Sequence, residues 1–331
     1  MPHVSVIVPA FNNRQTIGLC LKAIRDSHFK DYELIVVDDG SQDGTSLIAK
    51  EYADKVIIFD KHQGRNYARQ SGVQSAAGEI IVNIDSDVLI QPDTLSKIND
   101  FFSRHQETDA LTGLLSKKHS NKNFFSLYKN FYMHYIFEKL PEKVTFLYGS
   151  IYALRRACAV LSNLDSEKGE DTELGQTLFS SGREIAFLKD LEVVHLKKYS
   201  FFSFIKNDFL IPFSWALIFI KNKGWRQLFR NKTGFAHSPK EQILSVVLAP
   251  VCVVLSFVGL FQQNLLWPCL NLYLAWIILN SGFIYFLVKE KNLLFGGLAF
   301  FVTFFDHLVM AAGIVCGLGS ALTKKRVFSK V

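Results

Sequence analysis

The twenty residues from Gln242 to Phe261 carry no charge. A helix of that length crosses the hydrocarbon core of a bilayer, and lipid leaves the backbone no other way to satisfy its hydrogen bonds. Leu265–Val288 is a second stretch of the same kind. Between them, Gln262, Gln263 and Asn264 read as a tight polar hairpin on the far side of the membrane, and Lys289, Glu290 and Lys291 as a return to the near side. A third apolar stretch, Leu293–Leu322, has Asp306 and His307 near its middle. Such a pair is either functional or a polar kink turned toward neighbouring helices. Three full crossings would leave Lys324, Lys325 and Arg326 on the far side, against the charge rule. Either the third segment is re-entrant or an upstream segment also inserts.

The rest of the chain is built for water. Residues 1–240 hold 31 of the 37 Lys and Arg and 27 of the 30 Asp and Glu, whereas the last 91 of the 331 residues hold nine charged side chains. The formal charge of +7 resembles that of a nucleic-acid binder, but basic residues exceed acidic ones by only four in residues 1–240. No nucleic-acid partner is expected. The densest basic run, Lys221, Lys223, Arg226, Arg230 and Lys232, leads into the apolar tail and suits anionic headgroups on a cytoplasmic face. The five cysteines, Cys20, Cys158, Cys252, Cys269 and Cys316, show no metal-ligand spacing and read as reduced packing residues. The opening MPHVSVIVPAFNN has no basic n-region, so no secretory signal is expected. These features predict a multi-pass protein of the cell (inner) membrane whose water-exposed part is cytoplasmic.

Two stretches are rich in aromatics. Asn123–Leu140 carries seven and Tyr199–Ile220 carries eight, with Pro212 expected to break the second. Both are interrupted by charge, and they read as amphipathic helices lying in the membrane interface. The organisation expected is a domain over 1–198 with an amphipathic insertion at about 123–140. Interfacial helices and the basic segment follow over 199–240, and two to three apolar helices over 241–331.

Within residues 1–198 apolar runs alternate with helical periodicity. Val4–Val8, Glu33–Val37, Val56–Phe59 and Ile80–Ile84 read as strands. Arg14–Ser27, Ser46–Tyr52, Arg65–Ala77 and the segment from Pro92 to about His105 read as helices. This alternation predicts an α/β fold with a mostly parallel central sheet, whose ligands bind beyond the carboxyl ends of the strands. Polar residues cluster there: Asp38–Thr45 after the second strand, Asp60, His62, Gly64 and Arg65 after the third, and Asp85-Ser86-Asp87 after the fourth. Turn propensity accounts for part of this. An Asp-x-Asp pair also suits one hard cation such as Mg²⁺ or Mn²⁺ beside a diphosphate. Neither a Gly-x-Gly-x-x-Gly nor a P-loop is present.

Taken together, VSVIVPAFN at the start, VDDGSQDGT, GRNYARQSG, Asp85-Ser86-Asp87, GSIYALRR (Gly149–Arg156) and GEDTEL (Gly169–Leu174) stand in an order and spacing that resemble a family-2 glycosyltransferase of the GT-A fold. The resemblance covers about Pro2–Leu196. It implies a nucleotide-sugar-binding domain with Pro9 among the donor-binding residues, Phe11 packed against the base, Asp39 hydrogen-bonded to it and Arg69 on the nucleotide side. Asp85 and Ser86 would lie near the ribose or sugar, Gly149 on the acceptor side, and Asp87 on a metal bridging the diphosphate. Asp171 would be the general base. His195 falls where some relatives supply a further metal or phosphate ligand, a place that a buried structural histidine would fill equally well. Glu170 and Asp171 would also suit the first turn of a helix with no catalytic role. No Gln-x-x-Arg-Trp motif occurs, which disfavours a processive synthase.

The reading that follows is an inverting, Mg²⁺- or Mn²⁺-dependent transfer of one sugar from a nucleoside-diphosphate sugar to a hydroxyl of a lipid-linked saccharide or glycolipid. A polyprenyl-phosphate glycosyltransferase is the alternative, since an ionised phosphate acceptor needs no base. A nucleotidyltransferase would need a Gly-rich loop after the first strand, and Pro9–Asn13 is not one. A non-catalytic membrane scaffold would have no use for three carboxylate-bearing loops.

Overall fold

The computed structural model describes residues 2–159, 169–222 and 236–328, with side chains as far as Leu322. The chain divides into two compact units, one of residues 1–122 and 137–198, the other of residues 123–136 and 199–331. Most of the basic run, from Lys223 to Lys232, lies outside the described residues.

The first unit is a nine-stranded sheet with helices. Strands β1 (Val4–Ala10), β2 (Tyr32–Asp38), β3 (Lys55–Ile58) and β4 (Ile80–Ile84) stand in the order β3-β2-β1-β4, all parallel. They alternate with α1 (Ile17–Arg25), α2 (Thr45–Tyr52) and α3 (Arg65–Ser75), and α4 (Thr94–Arg104) follows them. Every residue of β1 is buried, which is why the strand reads as a continuous apolar run rather than an alternating one. Helix α1 buries Ile17, Cys20, Leu21 and Ile24, its 3.6-residue stripe. Pro9 has no N–H to give, and it stands two residues past the end of the β1–β4 ladder at Ile7 and Asn83.

Beyond β4 the sheet becomes mixed. Strand β8 (Ile151–Arg155) runs antiparallel between β4 and β6 (Ala110–Leu115). Strand β9 (Ile185–His195) is parallel to β6, and the short β5 (Val88–Leu89) and β7 (Lys143–Val144) pair antiparallel with β9. The antiparallel directions matter for placement. With Ile84 opposite Ile151, the residues before β8 lie at the carboxyl end of β4. With Val88 opposite His195, the end of β9 lies beside Asp87. Short α6 (Arg156–Ala159) and α7 (Glu170–Ser180) complete the unit, apart from the last residues of α5 (Phe124–Glu138).

The second unit is helical. It holds most of α5 together with α8 (Phe201–Lys221), α9 (Lys240–Gly259), α10 (Leu266–Glu290) and α11 (Leu293–Phe328). Four helices are long and apolar enough to cross a membrane: Phe201–Lys221, Lys240–Gly259, Gln263–Glu290 with its short 3₁₀ start, and Leu293–Leu322. Two expectations change here. Pro212 does not break its segment, because α8 continues through it; apolar helices tolerate proline where neighbouring groups compensate. Nor is α5 amphipathic. Ser126–Tyr128 and Asn130–His134 are all buried, with Tyr128, Tyr132 and Tyr135 ringed against Phe283. A helix buried on nearly all sides shows no polar face.

Helices α8 and α11 lie so close that a Cβ on Gly313 or Gly317 would collide with the carbonyls of Phe209 and Phe213. This is the small-residue spacing, four apart, that lets apolar helices approach backbone to backbone. The two helices run in the same direction, whereas α9 with α10 and α10 with α11 are antiparallel, as Ser245 to Asn280, Ser256 to Tyr273 and Val288 to Gly296 show. Lys129 of α5 pairs with Asp208 of α8 at 2.5 Å, and the Tyr128 hydroxyl donates to Thr303 of α11. His307 accepts the Trp276 indole N–H, so its ring serves helix packing. All five cysteines are free; four are buried, while Cys316 is exposed.

Candidate active site

Three loops at the carboxyl edge of the parallel strands interlock. Asp39, just past β2, accepts the backbone N–H groups of Gln63 and Gly64 at 2.6 and 2.9 Å, and its Oδ2 lies 2.8 Å from His62 Nδ1. The loop after β3 is thus tied to the loop after β2. Gly40 makes the approach possible: it sits at φ +78°, and a Cβ there would lie 2.7 Å from the Lys61 carbonyl carbon. Phe11, half-exposed after β1, stacks on the His62 ring at 4.0 Å between centroids.

Arg69 joins four segments. Its Nη2 donates to Asp85 Oδ1 at 2.8 Å and to the Gly149 carbonyl at 3.1 Å, and its Nη1 donates to Glu170 Oε1 at 2.7 Å. The guanidinium also lies over the Tyr152 ring. Arg69 and Glu170 are both buried, so the pair is shielded from solvent and sensitive to loss of either partner. Asp171 takes no bond from Arg69. Its Oδ2 accepts the Gly149 N–H at 2.7 Å and its Oδ1 its neighbour Thr172 N–H at 2.7 Å. A Cβ on residue 149 would stand 2.9 Å from Asp171 Oδ2 and 3.2 Å from Arg69 Nη2; only glycine fits there.

Glu170 and Asp171 both open α7, the first-turn placement that a helix dipole favours. Their surroundings then separate them. Burial, and next the neighbouring Glu170 charge, push the Asp171 carboxyl up to about 6 despite Arg69 and the two N–H donors. A carboxylate near that value is poised to take and release a proton.

The third cluster is Asp87 with His195, whose Nε2 lies 3.5 Å from Asp87 Oδ1. Burial opposes the Asp87 charge, but His195, Lys197 and Arg65 outweigh it and hold the carboxyl well below its usual range. Ser86 is buried in the turn between Asp85 and Asp87. Among the described residues no group of three or more His, Cys, Asp and Glu is arranged for a metal. Two protein ligands, one carboxylate and one imidazole, nevertheless fit a hard cation that draws its other ligands from phosphates and water.

The structure therefore brings Arg69, Asp85, Gly149 and Asp171 into one cluster, Phe11 and Asp39 into a second, and Asp87 and His195 into a third. Pro9 stays inside β1 and supports the loop that carries Phe11. Motif reading gives no role to Glu170 as the anchor of Arg69, nor to His62 as the partner of Asp39. The first is legible only as an acidic helix start, and the second has no local signal because its partner lies 23 residues earlier.

Residues 5–159 match the family model described as glycosyl transferase family 2. An N-acetylglucosaminyltransferase of Bradyrhizobium elkanii is 31% identical over 131 residues, 37% of this chain and 70% of that protein. A GalNAc(5)-diNAcBac-PP-undecaprenol beta-1,3-glucosyltransferase of Campylobacter jejuni is 36% identical over 93 residues, 26% of this chain and 30% of that protein. The matches with the first curated relatives span less than a third of their length. Among solved structures, a mannosyltransferase from Pyrobaculum calidifontis in complex with GDP-Man and Mn²⁺ aligns over 98% of this chain and 88% of its own, with a TM-score of 0.58 at 16% identity. That likeness is one of fold, the GT-A fold. With the motifs, the sheet and these matches in agreement, the chain belongs to glycosyl transferase family 2.

Proposed function

We propose that the protein transfers a single sugar, with inversion, from a nucleoside-diphosphate sugar to a hydroxyl of a lipid-linked saccharide or glycolipid, using Mg²⁺ or Mn²⁺. The observation that carries this reading is the division of labour around Arg69. Asp85 and Glu170 are spent on the guanidinium, while Asp171 beside them keeps a carboxylate that Arg69 does not bind. That is the arrangement expected of a donor-side clamp next to a base.

In this mechanism Phe11 stacks on the nucleobase and Asp39 hydrogen-bonds it. Arg69 orients Asp85 toward the ribose or sugar and fixes Gly149. Asp87 and His195 would hold the cation, which as a Lewis acid offsets the charge growing on the departing diphosphate. Asp171 accepts the acceptor's proton as its oxygen attacks the anomeric carbon from the face opposite the leaving group. The GDP-Man and Mn²⁺ of the Pyrobaculum mannosyltransferase complex support the donor and metal classes. The PP-undecaprenol in the name of the Campylobacter relative supports the acceptor class. The apolar helices support a multi-pass place in a membrane, and the basic run ahead of α9 supports a cell-membrane protein with its catalytic unit cytoplasmic.

The polyprenyl-phosphate alternative is separated by Asp171→Asn, which keeps size and cannot accept a proton at neutral pH. A hydroxyl acceptor predicts turnover lower by roughly 10²–10⁴-fold with donor affinity unchanged. Near-parental transfer would sink the hydroxyl reading and favour a phosphate acceptor. Asp87→Ala tests the metal: titration should show donor binding that no longer responds to Mn²⁺ or to chelator, with His195→Ala intermediate.

A further inference from the structure

The contacts around Asp39 are those that the donor reading gives to a nucleobase, and a side chain of the protein already makes them. The His62 imidazole lies on the Phe11 ring at 4.0 Å and 24° from parallel. Its Nδ1 meets Asp39 Oδ2 at 2.8 Å. A planar heterocycle stacked on Phe11, with a ring nitrogen beside Asp39, describes a bound uracil or guanine equally well.

The surroundings make this ring replaceable. The Asp39 side chain is 3% exposed and the His62 side chain 54%, so a solvent-exposed ring covers a buried acceptor. Asp39 keeps two other donors, the N–H groups of Gln63 and Gly64, when the imidazole leaves. The backbone at His62 is pinned against Gly40, where a Cβ would lie 2.8 Å from the His62 nitrogen. Departure therefore needs only a side-chain rotation, with the loop left in place.

We propose that His62 occupies the base subsite and that the nucleoside diphosphate displaces it on binding. This rests on the donor reading above. The self-contact lowers donor affinity and selects bases that offer both a stacking face and a ring N–H. Uracil and guanine have one; neutral cytosine and adenine do not.

The test is calorimetric titration of the full chain in detergent with UDP and with GDP in the presence of Mn²⁺, comparing parent, His62→Ala and His62→Ser. Removing the ring should tighten UDP or GDP roughly threefold to tenfold, the return of one stacked contact, while Phe11→Ala weakens it. CDP and ADP should stay weak throughout. Unchanged or weaker binding in both His62 variants, with the parent still binding UDP or GDP, overturns the displacement and leaves the donor reading intact. A parent that binds no nucleoside diphosphate overturns both.

Discussion

Arg69 is the residue on which the site turns. It ties the middle of α3, the end of β4 and the segment before β8 to the start of α7. Arg69→Met should leave buried Glu170 with only the longer contact to Arg65, 3.7 Å from its Oε1, and breaking such a buried pair costs up to about 3–5 kcal/mol; the check is a denaturation midpoint below the parent's. With Asp171 as the proposed base, its ionisation sets the pH response. Its carboxyl is pushed up to about 6, and below that value it holds a proton and cannot accept another. The transfer rate at low acceptor concentration should therefore rise with pH through about 6 and level above it, and Asp171→Asn should lack that limb. The residue types of the site are readable from sequence because Asp, Gly and Arg cluster after strands. Their pairing is not, because which carboxylate Arg69 neutralises depends on the antiparallel turn that brings Gly149 to β4.

Among the elements, the strands and helices up to α4, apart from the two-residue β5, are legible to within three residues at their ends. Each is local, with its own period and its own turn signal. The departures fall on α5 and α8, where aromatic density suggests a two-faced helix. Burial by other helices, which sequence periodicity does not register, decides their character. Gly313 and Gly317 do carry a signal, the small-residue repeat in an apolar stretch, and its meaning becomes clear only with Phe209 and Phe213 against it. Gly313→Leu should force α8 and α11 apart at a cost of about 1–3 kcal/mol, seen as a lower unfolding temperature in detergent. Gly319→Ala, with nothing within 4 Å of its Cβ position, should leave it near the parental value.

For the molecule as a whole, the charge split between residues 1–240 and the tail sets apart three of the four long apolar helices and misses α8. It does not show that residues 123–136 fold with the later helices. Ending the chain at Gln242 would strip α5 of Phe283 and Phe286, onto which its tyrosines pack. The truncated protein should aggregate unless detergent is present, as size-exclusion profiles would show. The shared direction of α8 and α11 has a further consequence, one of parity. Helices that alternate up and down four times end with first and last opposed, yet here they agree, and both later reversals are accounted for at 260–265 and 291–292. Helices α8 and α9 therefore also point the same way. If α9, α10 and α11 each cross, the hairpin at Gln263 and the end of α11 share one side of the membrane, with Glu290 on the other. Cysteines introduced at these three places into a cysteine-free background should label two against one with an impermeant maleimide.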